Sequence, residues 1–463
     1  MKESASAEMQ GEANALIING NENSESQREA NSPSGNESQS REANASIENE
    51  HQDRALANDI TQLLEGSEPP SSRKYCCIYR VPRDLRKLNG EAYTPQIISI
   101  GPFHHGHERL ETLEKLKVEY FKRFVKKAER NIKDLVSYIR DRERDIRRCY
   151  SETSKLSSDN YVKMIMLDAS FIIVFFLISK PPREWGCYQE FTVLPERLRD
   201  DILLLENQLP FFIIEGLYNF AFTSCSNYLS FTQLTFEYFA YYNSQKMSHD
   251  DPNFETKHLL DLLRTFFLPQ SQRLPQRNCG ENVRHLYTVS QLHEAGVKFK
   301  VSSSKCLFDL KFTNGVLKIP SFKIYRDTES YVRNLVALEQ CHYFSNAYFT
   351  DYMRVFDFLV DTAKDVDLLV RKGIMVNWLG DSNAVATLCN NLCKHIFILD
   401  MNSDYSHLCK DLNTFYEDRR HRWKVILRRD YFSNPWRTTA TIAATILLVV
   451  TFTQTVCSII SLS

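Results

Sequence analysis

Apolar residues along this chain fall into three kinds of pattern, and each predicts a different kind of element. From about Glu108 they recur at spacings of mostly three and four: Leu113, Leu116, Tyr120, Phe124, Ala128, Ile132, Leu135, Ile139 and Ile146. That period predicts an amphipathic helix of about 40 residues, with room for one break. Its outer face carries Lys122, Arg123, Lys126, Lys127, Arg130, Lys133, Arg140, Arg142, Arg144, Arg147 and Arg148 among Glu119, Glu129, Asp134, Asp141, Glu143 and Asp145. Mixed signs favour a solvated, ion-paired surface over a nucleic-acid or lipid footprint.

The second pattern is the unbroken apolar run, and it occurs twice. Residues 161–178 hold Lys163 near the start and Asp168 near the middle, and Pro181-Pro182 follows. A carboxylate at the centre of a membrane costs on the order of 2.5–3.5 kcal/mol. This run is therefore expected to be the central buried helix of a soluble core, with a partner for Asp168 inside. Residues 438–462 contain no Lys, Arg, Asp, Glu or Pro. About 25 such residues suffice to cross a hydrocarbon layer of about 30 Å, so this stretch is expected to be a transmembrane helix. Its many Thr and Ala residues suit close helix packing.

The third pattern is alternation. Val297, Phe299 and Val301, then Phe308, Leu310 and Phe312, then Leu317 and Ile319 alternate around Asn314-Gly315. Asn-Gly between alternating runs predicts a hairpin, so a small antiparallel sheet of two or three strands is expected at about 297–320. The remaining periodicity is helical: 198–217 with a kink or break at Pro210, then 258–267, 329–341, 351–372, 383–397 and 405–428. Residues 75–106 are dense in Pro, Gly and aromatics, which predicts an extended, turn-rich segment with one short strand at 97–100. Residues 269–281 read as a linker. The fold class is mainly α: a multi-helix body with a small antiparallel β insertion and one C-terminal transmembrane helix.

Charge divides the 463-residue chain unevenly. Residues 1–70 carry 14 acidic against 4 basic side chains, a net −10 within a total of −1, which leaves +9 for the remainder. They hold no aromatic residue and no Cys, so they cannot bury a core and read as a disordered acidic tail. The body then spans about 75–430 as one mostly helical domain. Arg419, Arg420, Arg422, Lys424, Arg428, Arg429 and Arg437 precede the span, with Trp423, Tyr431, Phe432 and Trp436 at headgroup depth. Positive flanks stay cytoplasmic, so the body is expected in the cytosol, the choice of plasma membrane or endomembrane left open. No signal peptide surrounds Ala15–Ile18, so Asn36 and Asn44 are expected to stay unglycosylated. Twelve scattered cysteines fit a reducing compartment, and Cys389 and Cys393 lack further zinc ligands nearby.

Candidate chemistry is sparse. His104, His105 and His107 with Glu108 and Glu111 form the most tempting metal set, but adjacent histidines point apart and a packing or capping role is expected. Glu206, Asn207 and Gln208 sit among apolar residues and should bond to backbone. Arg333 and Glu339-Gln340 share a helix and suit a buried polar network. There is no phosphate loop, GxSxG elbow or HExxH.

Ile78-Tyr-Arg-Val-Pro82 with Leu85-Arg86 and Asn89, Ser99-Ile-Gly-Pro-Phe-His-His-Gly106, Glu206-Asn-Gln-Leu-Pro-Phe-Phe212, Ala295-Gly-Val-Lys-Phe299, Gly315-Val-Leu-Lys-Ile-Pro320, Arg333-Asn-Leu-Val-Ala-Leu-Glu-Gln340, Asn377-Trp-Leu-Gly380 and Pro435-Trp436 run in order along the chain. Together they resemble the plant family of domain of unknown function 247 over about residues 75–460. The resemblance implies a plant protein with one C-terminal span and no established enzymatic activity, in a family with some members implicated in pollen-pistil self-incompatibility in grasses. The chain departs from that family at Ala169-Ser170, where Gly-Cys usually follows the Asp, and at Val174, where an acidic residue is common.

The expected function is a membrane-anchored interaction or recognition module without catalysis. Its partners are the lipid bilayer, through the C-terminal helix, and a protein; nucleic acid is not expected. No catalytic, cofactor or metal residues are assigned. The alternative is an enzyme with a pocket near Asp168, Glu206 or the His104–His107 cluster.

Overall fold

A computed structural model describes residues 53–61, 74–180, 195–223, 229–251, 254–270, 283, 285–396, 400–418 and 435–462. Residues 53–61 form a short exposed helix inside the acidic stretch expected to be disordered; the rest of that stretch lies outside the described residues. So do Pro181-Pro182, nearly all of the 269–281 linker, and the basic flank from Arg419 onward, Arg437 contributing only its helical backbone.

In the body, Pro82 precedes a two-turn helix, α1 (Arg83–Leu88). The amphipathic pattern from Glu108 then becomes three helices: α2 (Glu111–Lys127), α3 (Ile132–Arg140) and α4 (Glu143–Arg148). The pattern is thus broken twice, where one break was allowed for. At the first break Ala128 turns extended, the Glu129 N–H donates to the Ala221 carbonyl at 2.9 Å, and Asn131 caps α3 by accepting the Asp134 N–H at 2.9 Å. A continuous helix of about 40 residues would run about 60 Å. Breaking it lets Tyr120, Phe124, Leu135, Ile139 and Ile146 all turn inward, and each is buried.

They close around α5 (Ser158–Ile178), the run that carries Asp168. Ser157 caps it by accepting the Asn160 N–H at 3.4 Å. Its apolar stretch is 89% buried, so it is a core helix, as the central carboxylate implied. Phe171 packs on Tyr120 with ring centres 4.8 Å apart, and Phe176 stacks on Tyr238 at 4.6 Å.

The next elements are α6 (Pro195–Ile202), α7 (Phe211–Ala221), α8 (Phe231–Tyr238) and α9 (Leu259–Phe267). The helix expected to reach Pro210 stops at Ile202. Polar side chains in 203–210 capture local carbonyls and hold turns there instead, a competition that amide side chains can win. Residues 97–100 do not form the expected strand; the amides of Ile97, Ile98 and Ile100 bond to side chains instead.

After α10 (Val289–Glu294) come β1 (Lys298–Val301), β2 (Lys311–Thr313) and β3 (Val316–Ile319). Asn314 and Gly315, at φ 51° and 72°, make the tight turn of the β2–β3 hairpin, as the sequence predicts. The sheet itself is mixed rather than antiparallel, in order β1-β3-β2, because β1 pairs with β3 in parallel, Phe299 opposite Leu317. No tight turn joins β1 to β2, so nothing forces an antiparallel return. A second, unpredicted sheet pairs β4 (Phe322–Ile324) in parallel with the distant residues Met375–Asn377.

The remaining helices are α11 (Thr328–Cys341), α12 (Tyr348–Leu359) and α13 (Ala363–Arg371), then β5 (Met375–Asn377), α14 (Ser382–Leu392), α15 (Ser403–Glu417) and α16 (Pro435–Leu462). The single helix expected over 351–372 splits at Thr362, which with Asp365 forms a reciprocal capping box. The class is therefore mainly helical with a small mixed sheet, and α16 is a C-terminal helix long and apolar enough to cross a membrane.

Phe175 is fully buried and stacks on Phe171 at 5.8 Å. Phe175→Ala is expected to cost about 3–5 kcal/mol, read as a lowered denaturation midpoint. A midpoint unchanged from the parent would mean α5 is not the packed axis of the body.

Candidate functional site

A buried segment outside any strand or helix has to satisfy its amides some other way. Ser99, Ile98 and Ile100 are all buried. The end of α6 and the turn after it supply the partners. Asp201 accepts the N–H groups of Gln96, Ile97 and Ile98, at 3.0, 2.7 and 2.8 Å. Asn207 accepts the Ile100 N–H at 2.6 Å and returns its amide to the Ile98 carbonyl at 3.0 Å, doing what a strand would do. Gln208 donates to the Ile202 and Leu204 carbonyls at 2.7 and 2.8 Å, and accepts the Leu260 N–H at 3.3 Å. The expectation that Glu206, Asn207 and Gln208 bond to backbone is met by all three.

Glu206 is the charged centre. It accepts the Val81 N–H at 2.7 Å and pairs with Arg80 at 3.0 Å, Arg86 at 2.6 Å and His104 Nε2 at 3.1 Å. Arg80 also lies 4.3 Å over the Phe103 ring and bonds the Phe103 carbonyl at 3.0 Å. Burial alone would raise the Glu206 carboxyl, but the bonds from His104, Val81 and Arg86 outweigh it and hold it at about 2. Asp201 goes the other way: burial lifts it to about 6 against the three amides that favour its charge. A carboxylate as acidic as Glu206 is a poor proton acceptor near neutrality.

Asp168 is sealed. Its Oδ1 lies 2.6 Å from the Lys117 ammonium, and its Oδ2 accepts the Gly101 N–H at 2.8 Å. Lys117 also contacts Glu114 at 2.6 Å and Ser99 Oγ at 3.2 Å, and its side chain is fully buried. Burial raises the Asp168 carboxyl, and Lys117 opposes it. Val174 is likewise fully buried, among apolar residues.

Of the sequence-selected groups, the structure thus brings Asp168, Glu206 and His104 onto one segment, residues 80–104. It leaves His105, His107, Glu108 and Glu111 exposed. Among the described residues, no three His, Cys, Asp or Glu side chains are placed to share a metal ion, and the nine described cysteines are unbridged. Burial pushes the Cys389 thiol up to about 12. Arg333 and Glu339 join separate pairs: Arg333 meets Glu329 at 2.8 Å, while Glu339 holds Arg264 at 2.9 Å and the Thr350 N–H at 2.7 Å. Three cavities of about 550, 430 and 450 Å³ are lined by other residues than Asp168, Glu206 and His104.

Sequence reasoning missed Lys117, Asp201, Arg80 and Arg86. Lys117 left a signal, since it sits four residues after Leu113 and three before Tyr120, on the apolar face of α2. Asp201 left none, because its partners are backbone amides about a hundred residues away.

A family profile described as plant protein of unknown function, DUF247, matches residues 78–450. A UPF0481 protein of Arabidopsis thaliana is 28% identical over 86% of this chain and 90% of its own length. A putative UPF0481 protein of the same plant is 22% identical over 81% of this chain and 89% of its own. No solved structure matches.

Two outcomes are expected at this site. Glu206→Gln deprives Arg86 and His104 of their carboxylate partner, Arg80 keeping Glu152 at 3.2 Å, and should cost about 3–5 kcal/mol. Because the folded carboxyl sits at about 2, below its ordinary 4.5, its stabilising effect is complete above pH 4.5 and fades as pH falls toward 2. The stability gap between parent and Glu206→Gln should therefore narrow over that window; a gap constant from pH 6 to pH 3 would contradict the charge assignment. Gly101, at φ +72°, would place an added Cβ 2.6 Å from the Gln208 carbonyl and 2.9 Å from the Tyr150 hydroxyl. Gly101→Ala should destabilise by at least about 1–3 kcal/mol, and a neutral result in thermal denaturation would rule this close approach out.

Proposed function

The chain belongs to the DUF247 family of plant proteins, and from that premise we propose that it is a membrane-tethered interaction module. In this reading a helical body, held at the cytoplasmic face by one C-terminal span, engages a protein partner and performs no catalysis.

One observation carries the tether. Among the described residues, two helices are long and apolar enough to cross a membrane, and they meet opposite fates: Ser158–Ile178 is 89% buried, whereas Thr438–Ser461 is 0% buried. Leu447 and Leu448 are each 71% exposed, and Phe452 69%. Full burial of one such side chain is worth about 1.5–3 kcal/mol, so a row of them in water is strongly unfavourable, and lipid removes that cost. The threonines suit the same setting: Thr445, Thr451, Thr453 and Thr455 each donate to a carbonyl four residues back at 2.8 Å. The basic residues just before the span favour a cytosolic body. The non-catalytic part of the reading draws on Asp168 and Glu206, whose oxygens are committed to Lys117, Gly101, Val81, Arg80, Arg86 and His104.

Full-length protein is expected to stay with membranes through an alkaline carbonate wash, and a chain truncated after Asn434 to be released. In sealed microsomes an epitope at residue 1 should be digested by added protease. Extraction of the full-length chain by carbonate would end the single-span reading, and a protected epitope would invert the topology.

A further inference from the structure

A cavity of about 430 Å³ opens between the 241–267 region and the sheet strands, away from the Glu206 centre. One wall is a continuous run of rings. Phe267 stacks on Tyr331 at 6.2 Å, Tyr331 meets Tyr242 at 5.7 Å, Tyr242 meets Tyr241 at 5.3 Å, and Tyr241 meets Tyr325 at 6.0 Å. Trp378 extends the run outward by stacking on Tyr325 at 5.8 Å. Tyr242 and Tyr331 are buried, but Tyr241 is 57% and Trp378 66% exposed, so the wall ends in uncovered aromatic surface.

The lining also carries polar residues: Ser302, Ser303, Ser304, Lys305, Ser321 and Lys323. Its charge is not balanced from within. Asp327, the carboxylate in the lining, is already engaged by Arg199 at 3.6 Å and by the Tyr242 hydroxyl at 3.3 Å. Among the described residues neither Lys305 nor Lys323 has an ion-pair partner. Their ammonium groups are thus the two uncompensated charges in the lining.

A run of rings sharing one cavity lining with hydroxyls and two uncompensated cations has a definite complement. We propose that this cavity binds a small aromatic anion, its ring against Tyr241 and Tyr325 and its acidic group toward Lys305 and Lys323. The volume lies within the usual span of about 300–1,000 Å³ for small-molecule sites. Ring stacking is worth about 0.5–1.5 kcal/mol beyond area burial, and the cations select the anion over its neutral counterpart. This inference stands apart from the tethering reading, since no residue of α16 takes part.

Equilibrium dialysis of the full-length chain in lipid nanodiscs, against empty nanodiscs, tests it with 2-naphthoate and the neutral 2-naphthylmethanol. Naphthoate is expected to bind about two- to fivefold tighter than the alcohol, the discrimination expected of an exposed ion pair. Lys305→Gln with Lys323→Gln should bring naphthoate down to the level of the alcohol, while Tyr241→Ala should weaken both. Circular dichroism checks that these exposed substitutions leave the fold intact. Three results overturn the proposal: no naphthoate bound at about 1 mM, equal binding of acid and alcohol, or folded lysine variants that bind naphthoate like the parent.

Discussion

Backbone polar groups taken out of water must find partners, and residues 96–101 are the place where that rule shapes this protein. Within this segment residues 98–100 are buried, and among the described residues none of them belongs to a strand. Asp201, Asn207 and Asp168 take its amides at 2.6–3.0 Å, and Asn207 also answers the Ile98 carbonyl. Each of these side chains comes from a helix or turn with its own place in the core. The N-terminal segment, the axial helix and the 201–208 turn are therefore fixed to one another by hydrogen bonds whose loss would leave buried groups unpaired. An unpaired buried group costs about 1–3 kcal/mol, so the network is costly to breach at any one point.

The same logic places the charges. Glu206 would be expensive to bury alone, but one backbone amide, two guanidinium groups and an imidazole surround it. Asp168 and Lys117 neutralise each other in the interior, with Ser99 and Glu114 completing the ammonium's contacts. The groups that first suggest chemistry are thus occupied in holding chain to chain. The aromatic cavity beside Lys305 and Lys323 differs in this respect, since its cations have no such internal partner.

Much of this was legible in advance. The apolar period of residues 113–146, the buried run around Asp168, the Asn314-Gly315 turn and the exposed C-terminal run are all local patterns, and local patterns are what a sequence displays directly. The family resemblance rested on short motifs such as Glu206-Asn-Gln-Leu-Pro-Phe-Phe212, and the 78–450 match agrees with it. Errors came where the deciding partner is distant. The strand expected at 97–100 was replaced by side chains from 201–207, and β1 joined β3 in parallel instead of turning back on β2. Phe322 pairs with Met375 across an interval that holds three helices.

Sequence alone determined the secondary-structure class, the apolar axis, the hairpin turn and the existence of a second membrane-length helix, because periodicity and turn chemistry act over a few residues. Tertiary structure decided that Lys117 is the counter-ion of Asp168, and that His104 turns to Glu206 while His105 and His107 face solvent. It also assembled the ring wall from residues 241–378. These are matters of which surfaces meet, and surfaces that meet are set by packing across the whole body rather than by neighbours in the chain.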